Sequence, residues 1–151
     1  MTKQLVKLIS ILLMLSMTSF TPLFAEGDDK PLDGKKLVMV IKSADSSEAG
    51  MGLSLAHSAV KKGAQVTIVL GANAALYPTK NGAQRIFAAK NKIPRDMLKE
   101  ILADGGTVYL CSLCAKWQDL EQSDLIDGVE IVTSIKIWNK LYEEDAKSLT
   151  F

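Results

Sequence analysis

The only two cysteines of this chain, Cys111 and Cys114, are separated by two residues in the run Thr-Val-Tyr-Leu-Cys-Ser-Leu-Cys-Ala-Lys. Thiols at that spacing have four uses, and each asks something different of its surroundings. A redox dithiol needs a first thiol with a lowered pKa, which a helix amino terminus can supply, and a second close enough to resolve a mixed disulfide. A sulfur carrier needs one accessible thiolate that accepts a sulfane sulfur as a persulfide; a neighbouring thiol can release that cargo by closing a disulfide. A structural zinc site needs four ligands, and the single histidine, His57, is all the chain has left to offer beside the pair. An intrachain zinc site is therefore short of ligands, while one shared between subunits stays open. The fourth use is structural: two small buried apolar groups, or a disulfide staple of the kind common in exported proteins.

The elements that must position the pair read as strands alternating with helices. Residues 37–41 (Leu-Val-Met-Val-Ile) and 66–70 (Val-Thr-Ile-Val-Leu) are continuous apolar runs of strand length, as expected of strands covered on both faces. Between them, apolar or small residues at Met51, Leu53, Leu55, Ala56, Ala59 and Val60 follow helical spacing and close on Lys61-Lys62-Gly63. Residues 72–93 mix alanines with Tyr77-Pro78 and Asn81-Gly82 and read as a long loop with a short helix over 84–89. Pro94 opens a helix that Gly105-Gly106 ends. Residues 107–110 form a third strand that delivers Cys111 at its carboxyl end. Residues 117–125 read as loosely helical, 129–132 as a fourth strand, 135–145 as a final helix and 148–151 as a short terminal strand.

Such alternation implies right-handed crossovers and an α/β fold: a three-layer open sheet of about five mainly parallel strands with helices on both faces. Reactive groups in sheets of this kind gather beyond the carboxyl ends of the strands, where Cys111 falls.

Residues 1–25 stand apart from this pattern. Lys3 and Lys7 precede an almost wholly apolar stretch, 8–17, and Thr21-Pro22-Leu23-Phe24-Ala25 leads into the acidic Glu26-Gly27-Asp28-Asp29. That layout reads as a signal peptide cleaved after Ala25, and the apolar run falls short of the roughly 20 residues a membrane span requires; an uncleaved anchor is the alternative, since Leu23 stands where a smaller residue is preferred. The expectation is an exported, periplasmic protein with a signal peptide over 1–25, a flexible leader over 26–34 and one domain over 35–151. The whole chain carries 18 basic and 17 acidic residues; removing Lys3 and Lys7 with the signal peptide brings the formal net charge from +1 to −1. No basic surplus remains for nucleic acid or anionic lipid, so neither nucleic acid nor, after cleavage, the membrane is an expected partner.

Other candidates read more plainly. His57 lies among Leu53, Ala56 and Val60, where a lone histidine packs more often than it catalyses. Gly50-Met51-Gly52 lacks the third glycine of a dinucleotide fingerprint, and Asp45, Ser46 and Ser47 suit helix capping. Trp117 and Trp138 are candidates for an interface. The residues imply neither a cofactor nor a resident metal.

The run from Val108 to Ala115 resembles the carboxyl half of the DsrE/DsrF-like family, together with Leu125-Ile126-Asp127-Gly128-Val129-Glu130-Ile131 and Glu144-Asp145-Ala146-Lys147-Ser148-Leu149-Thr150-Phe151. The amino half is similar too, through the Gly-Met-Gly-Leu-Ser-Leu-Ala-His-Ser-Ala helix and the strand Gln65-Val66-Thr67-Ile68-Val69-Leu70. The resemblance spans about residues 37–151, and the cysteine loop is its most specific part. It implies a compact fold with a mainly parallel sheet, assembly into homo- or hetero-oligomers, and sulfur relay through a cysteine persulfide; any enzyme activity would be that of a sulfurtransferase. By that resemblance Cys111 is the acceptor thiol and Cys114 the partner or resolving thiol, with a homo-oligomer and a sulfur donor or acceptor, protein or small thiol, as partners. Two departures stand out. Sulfur-relay members often carry arginine and glycine after the cysteine, whereas Lys116-Trp117-Gln118-Asp119 follows here. The best-known relays also work in the cytoplasm, whereas a dithiol outside it tends to be oxidised unless something reduces it. Thiol-disulfide exchange and a non-catalytic oligomeric binding module with a structural disulfide are the alternative readings.

Overall fold

The computed structural model describes residues 30–151; the signal peptide expected over 1–25, and residues 26–29 of the leader, lie outside the described residues. Five strands pair in the order β4-β3-β2-β1-β5, with β1 at Lys36–Ile41, β2 at Gln65–Leu70, β3 at Thr107–Cys111, β4 at Val129–Val132 and β5 at Ala146–Thr150. Every pairing is parallel. The helices are α1 (Ser46–Lys61), α2 (Pro94–Ala103), α3 (Ser112–Trp117) and α4 (Ser134–Leu141). The expected α/β class and strand-helix alternation are those observed.

Strand alternation sorts the side chains into two layers. Met39, Ile41, Ile68, Leu70, Val108 and Leu110 are fully buried on one face against Leu53 and Ala56 of α1 and Leu98 and Ile101 of α2. Tyr109, one residue out of phase with Val108 and Leu110, faces the other way, where Lys136 of α4 places its ammonium 4.9 Å from the ring centroid. The chain steps outward from β1 to β4, then returns across the whole sheet to add β5 beside β1. A right-handed return of opposite direction puts its helix on the opposite face, which is why α4 covers the second face alone. No residue of α4 is fully buried.

Gly50 and Gly52 have a packing role inside α1. A Cβ at Gly50 would lie 2.3 Å from Cγ of Phe87, and one at Gly52 would lie 2.6 Å from Ile41 Cδ1 and 2.9 Å from the Phe151 ring. The two glycines form a notch that admits the long loop on one side and the sheet on the other. Met51, between them, is exposed.

Several boundaries differ from the sequence expectation. There is no helix over 84–89; a 3-10 helix forms instead at Ala72–Leu76, and the rest of the loop is irregular, pinned by the bridges Thr79↔Leu125 and Phe87↔Lys92. Tertiary contacts override local propensity here. Gln84 is the hub: its Nε2 donates to the Tyr77 carbonyl at 2.9 Å, and its Oε1 accepts the Arg95 N–H at 2.9 Å. That N–H is one of the first-turn donors of α2, whose N-cap Ile93 has no capping side chain, so a distant glutamine does the capping. The helical stretch expected over 117–125 is displaced: α3 occupies Ser112–Trp117, Asp119 turns the chain at φ 51°, and a short 3-10 helix follows at Gln122–Asp124. Helix α4 stops at Leu141 rather than 145, and β5 starts at Ala146, just after Asp145 at φ 62°. Residues 31–34 form a turn whose Leu32 N–H donates to the Lys62 carbonyl at 3.0 Å, and Leu32 packs against the core.

Candidate functional site

Strand β3 ends in Cys111, paired in register with Val132 of β4, and the same residue is the N-cap of α3 with extended backbone (φ −60°, ψ 124°). Cys114 is then the third residue of α3. The strand end and the first turn of the helix keep the two thiols close enough for Cys111 to bear on the ionisation of Cys114. Both cysteines are free and partly exposed.

The loop after β2 supplies a third component. Ala72 stands at φ 46°, in the left-handed region that alanine seldom occupies, and donates its N–H to Cys114 Sγ at 3.1 Å. That N–H opens the 3-10 helix at Ala72–Leu76 and has no partner within it; the sulfur takes it up. Backbone held in a sparsely populated conformation at the rim of a reactive pair is one way a fold pre-organises a site.

Burial is the main cause that pushes the Cys114 thiol above its ordinary pKa of about 9; the Ala72 N–H pulls it down, and Cys111 pushes it up again. Cys114 therefore holds its proton at neutral pH. Lys116, the nearest cation in sequence, is exposed and is not among the groups that bear on Cys114.

A cleft of about 520 Å³ opens beyond the carboxyl ends of β1 and β2; neither cysteine lines it, but it reaches Asn73, the neighbour of Ala72, and Asp119, two residues past α3. Ser46 at the start of α1, Asn73 next to Ala72, Tyr77, Asn81 and Arg85 of the long loop, and Asp119 after α3 line it. The sequence reading did not single out this wall. Its one local signal was the loop's length without secondary structure of its own, a property such loops share with many binding loops.

His57 is not brought to the cysteines. It lies eleven residues into α1 from Ser46, about 16 Å along the helix by the usual rise, and its Nε2 meets Asp104 Oδ2 of the α2 C-cap at 2.6 Å. Glu100, also within reach at 3.8 Å, pairs with Lys92. The histidine ties α1 to α2. Asp45 caps α1 through Ser47 N at 2.8 Å and Glu48 N at 3.1 Å. Its pKa is lowered, first by the Glu48 N–H, then by that of Ser47. Among the described residues no cluster of three or more histidine, cysteine or carboxylate side chains is arranged to hold a metal ion, and no helix is long and apolar enough to cross a membrane.

Comparison with known proteins gives this arrangement a family. The model of the DsrE/DsrF-like family matches residues 35–151. The chain belongs to that family. DsrE/DsrF-like proteins are generally related to sulfur relay. Solved structures similar to this DsrE/DsrF-like chain include the ychN protein from E. coli, with a TM-score of 0.68 and 24% identity over 78% of this chain and 99% of that one. A protein of unknown function, MTH1491 from Methanobacterium thermoautotrophicum, matches with a TM-score of 0.62 and 13% identity over the same shares. At these identities the likeness is one of fold. No curated protein sequence matches the chain significantly.

Proposed function

We propose that this protein carries sulfane sulfur as a persulfide on Cys111 and that Cys114 is the thiol that discharges it. The observation that carries the reading is the placement of two free thiols at the end of β3 and the start of α3, close enough for Cys111 to influence Cys114, whose thiol burial keeps protonated. In loading, the Cys111 thiolate attacks the outer sulfur of a persulfide RSSH. A new S–S bond forms as the old one breaks, RS⁻ leaves with the bonding pair, and the proton stays on the transferred sulfur. In release, Cys114 loses its proton and attacks Cys111 Sγ, so that HS⁻ departs with the electron pair and a Cys111–Cys114 disulfide remains. An external dithiol returns the disulfide to the start. The same disulfide makes thiol-disulfide exchange the second reading, favoured by the same placement.

The signal-like residues 1–25 support a periplasmic site of action, where such a reductant is a requirement. A homo-oligomer is supported by large apolar side chains left exposed on α3 and α4: Leu113 at 75%, Trp117 at 67%, Trp138 at 51% and Tyr142 at 81%.

Mass spectrometry of the reduced protein after incubation with a persulfide donor tests the reading. One added sulfur atom on the peptide containing Cys111, lost in Cys111→Ser and retained in Cys114→Ser, is expected. No added sulfur on Cys111 with any donor overturns it. Thiol-disulfide exchange predicts loss of activity in both single variants.

A further inference from the structure

Two polar side-chain atoms among the described residues are buried with no hydrogen-bond partner, Tyr77 Oη and Arg95 Nε. Tyr77 is 7% exposed and forms part of the wall of the cleft beyond β1 and β2. A buried phenol without an acceptor is rare in folded proteins and calls for a missing partner. Thr79, Gln84 and Asp124 of the lining are engaged within the protein, but four other polar side chains around it are unspent. Asn73 and Asn81 make no side-chain hydrogen bond among the described residues, so both amides keep donors and acceptors free. Arg85 feels the Asp45 carboxylate at a distance but makes no hydrogen bond or ion pair among the described residues. The Asp119 side chain makes none either.

The charges differ in sign. Arg85 offers a planar fork suited to a carboxylate, while Asp119 offers a carboxylate suited to an ammonium. A volume of about 520 Å³ falls within the usual range for small-molecule sites, about 300–1,000 Å³. The cleft also reaches the loop that donates to Cys114 and the turn that follows α3. Asn73 follows Ala72, whose N–H touches Cys114 Sγ at 3.1 Å, and Asp119 lies two residues beyond α3. About 3.8 Å of chain separates the Cα atoms of Ala72 and Asn73.

From this juxtaposition we infer that the cleft binds the carrier portion of a small zwitterionic thiol persulfide, one with a free α-ammonium and α-carboxylate, and presents its outer sulfur to the cysteine pair. Arg85 holds the carboxylate, Asp119 the ammonium, and Asn73, Asn81 and Tyr77 the remaining polar atoms. The chemistry is common to cysteine persulfide and glutathione persulfide. This inference rests on the sulfur-carrier reading for the transfer itself, RSSH + Cys111–S⁻ → RS⁻ + Cys111–SSH, but not for the binding.

Binding and transfer are therefore measured separately. S-methyl-L-cysteine and S-methylglutathione, which cannot transfer sulfur, are titrated calorimetrically into the Cys111→Ser protein. Either should bind, and Arg85→Ala in that background should weaken binding about tenfold, the loss of one charge-assisted hydrogen bond. Tighter binding of the first probe supports an amino-acid-sized ligand, and tighter binding of the second a tripeptide-sized one. In the protein with both cysteines, the loading rate from glutathione or cysteine persulfide is divided by that from inorganic tetrasulfide, which has no amino-acid head. The ratio should fall about tenfold in Arg85→Ala and also fall in Tyr77→Phe, a change that preserves the packed ring. No binding of either probe at millimolar concentration, or affinities the same within twofold in Arg85→Ala and Asn73→Ala, overturns the inference. Probe binding together with no loading from any donor would overturn the sulfur-carrier reading and leave the cleft's ligand class supported.

Discussion

Discharge of sulfur from Cys111 should climb steeply with pH, because the attacking group is a thiol that the fold keeps protonated. Burial is the main cause holding Cys114 above its ordinary pKa of about 9. At pH 7 its thiolate fraction is thus below about one in a hundred, a gap of two units or more. The attacking species grows about tenfold per pH unit until the raised pKa is reached, and then levels off. The sign follows from the direction of the shift: raising the pKa of an acid removes thiolate at a given pH, so release is slow at pH 6 and faster at pH 8, by about a hundredfold. The assay loads the reduced protein with sulfane sulfur, removes excess donor by gel filtration, and follows hydrosulfide release at several pH values. Cys114→Ser should keep the sulfur on Cys111 throughout, since a serine hydroxyl does not ionise in this range. Release that is flat between pH 6 and pH 8, or that persists in Cys114→Ser, would refute the reasoning.

Three other outcomes follow from particular contacts. Gln84→Ala removes the hydrogen bonds that tie the long loop to α2 and should destabilise the protein by about 1–2 kcal/mol in urea unfolding, with faster proteolysis within 77–93. Trp138→Asp places a charge on the exposed apolar face of α4 that also carries Tyr142, 5.8 Å away between ring centroids; sedimentation should show a shift toward monomer with the melting temperature little changed. His57→Gln disrupts the hydrogen bond with Asp104 far from the thiols, so persulfide loading should stay at the wild-type level while thermal stability falls modestly.

How much of this was readable in advance depended on the range of the interactions involved. The strands over 37–41, 66–70 and 107–110 were legible because strand residues meet the core in a repeating local pattern. The position of Cys111 at a strand end was legible for the same reason, whereas Cys114 inside α3 was not, because the helix starts five residues before the expected 117. The 3-10 helix at Ala72–Leu76 and the loop beyond it were not. Their conformation depends on Gln84 reaching Arg95, Thr79 bridging Leu125 and Phe87 entering the notch at Gly50. None of those pairings leaves a trace in local periodicity.

By itself, then, the sequence determined the alternation of elements, the two thiols and their place at the end of a strand, all of which follow from hydrophobic spacing over a few residues. Only the tertiary structure decided that β5 crosses to the far side of β1, that His57 serves α2 rather than the cysteines, and that an alanine in a left-handed turn gives its N–H to Cys114. Those features arise where segments distant in the chain meet, and an alanine carries no mark of the donor it will present. The burial that keeps the Cys114 thiol protonated is therefore a property of the fold rather than of the cysteine spacing.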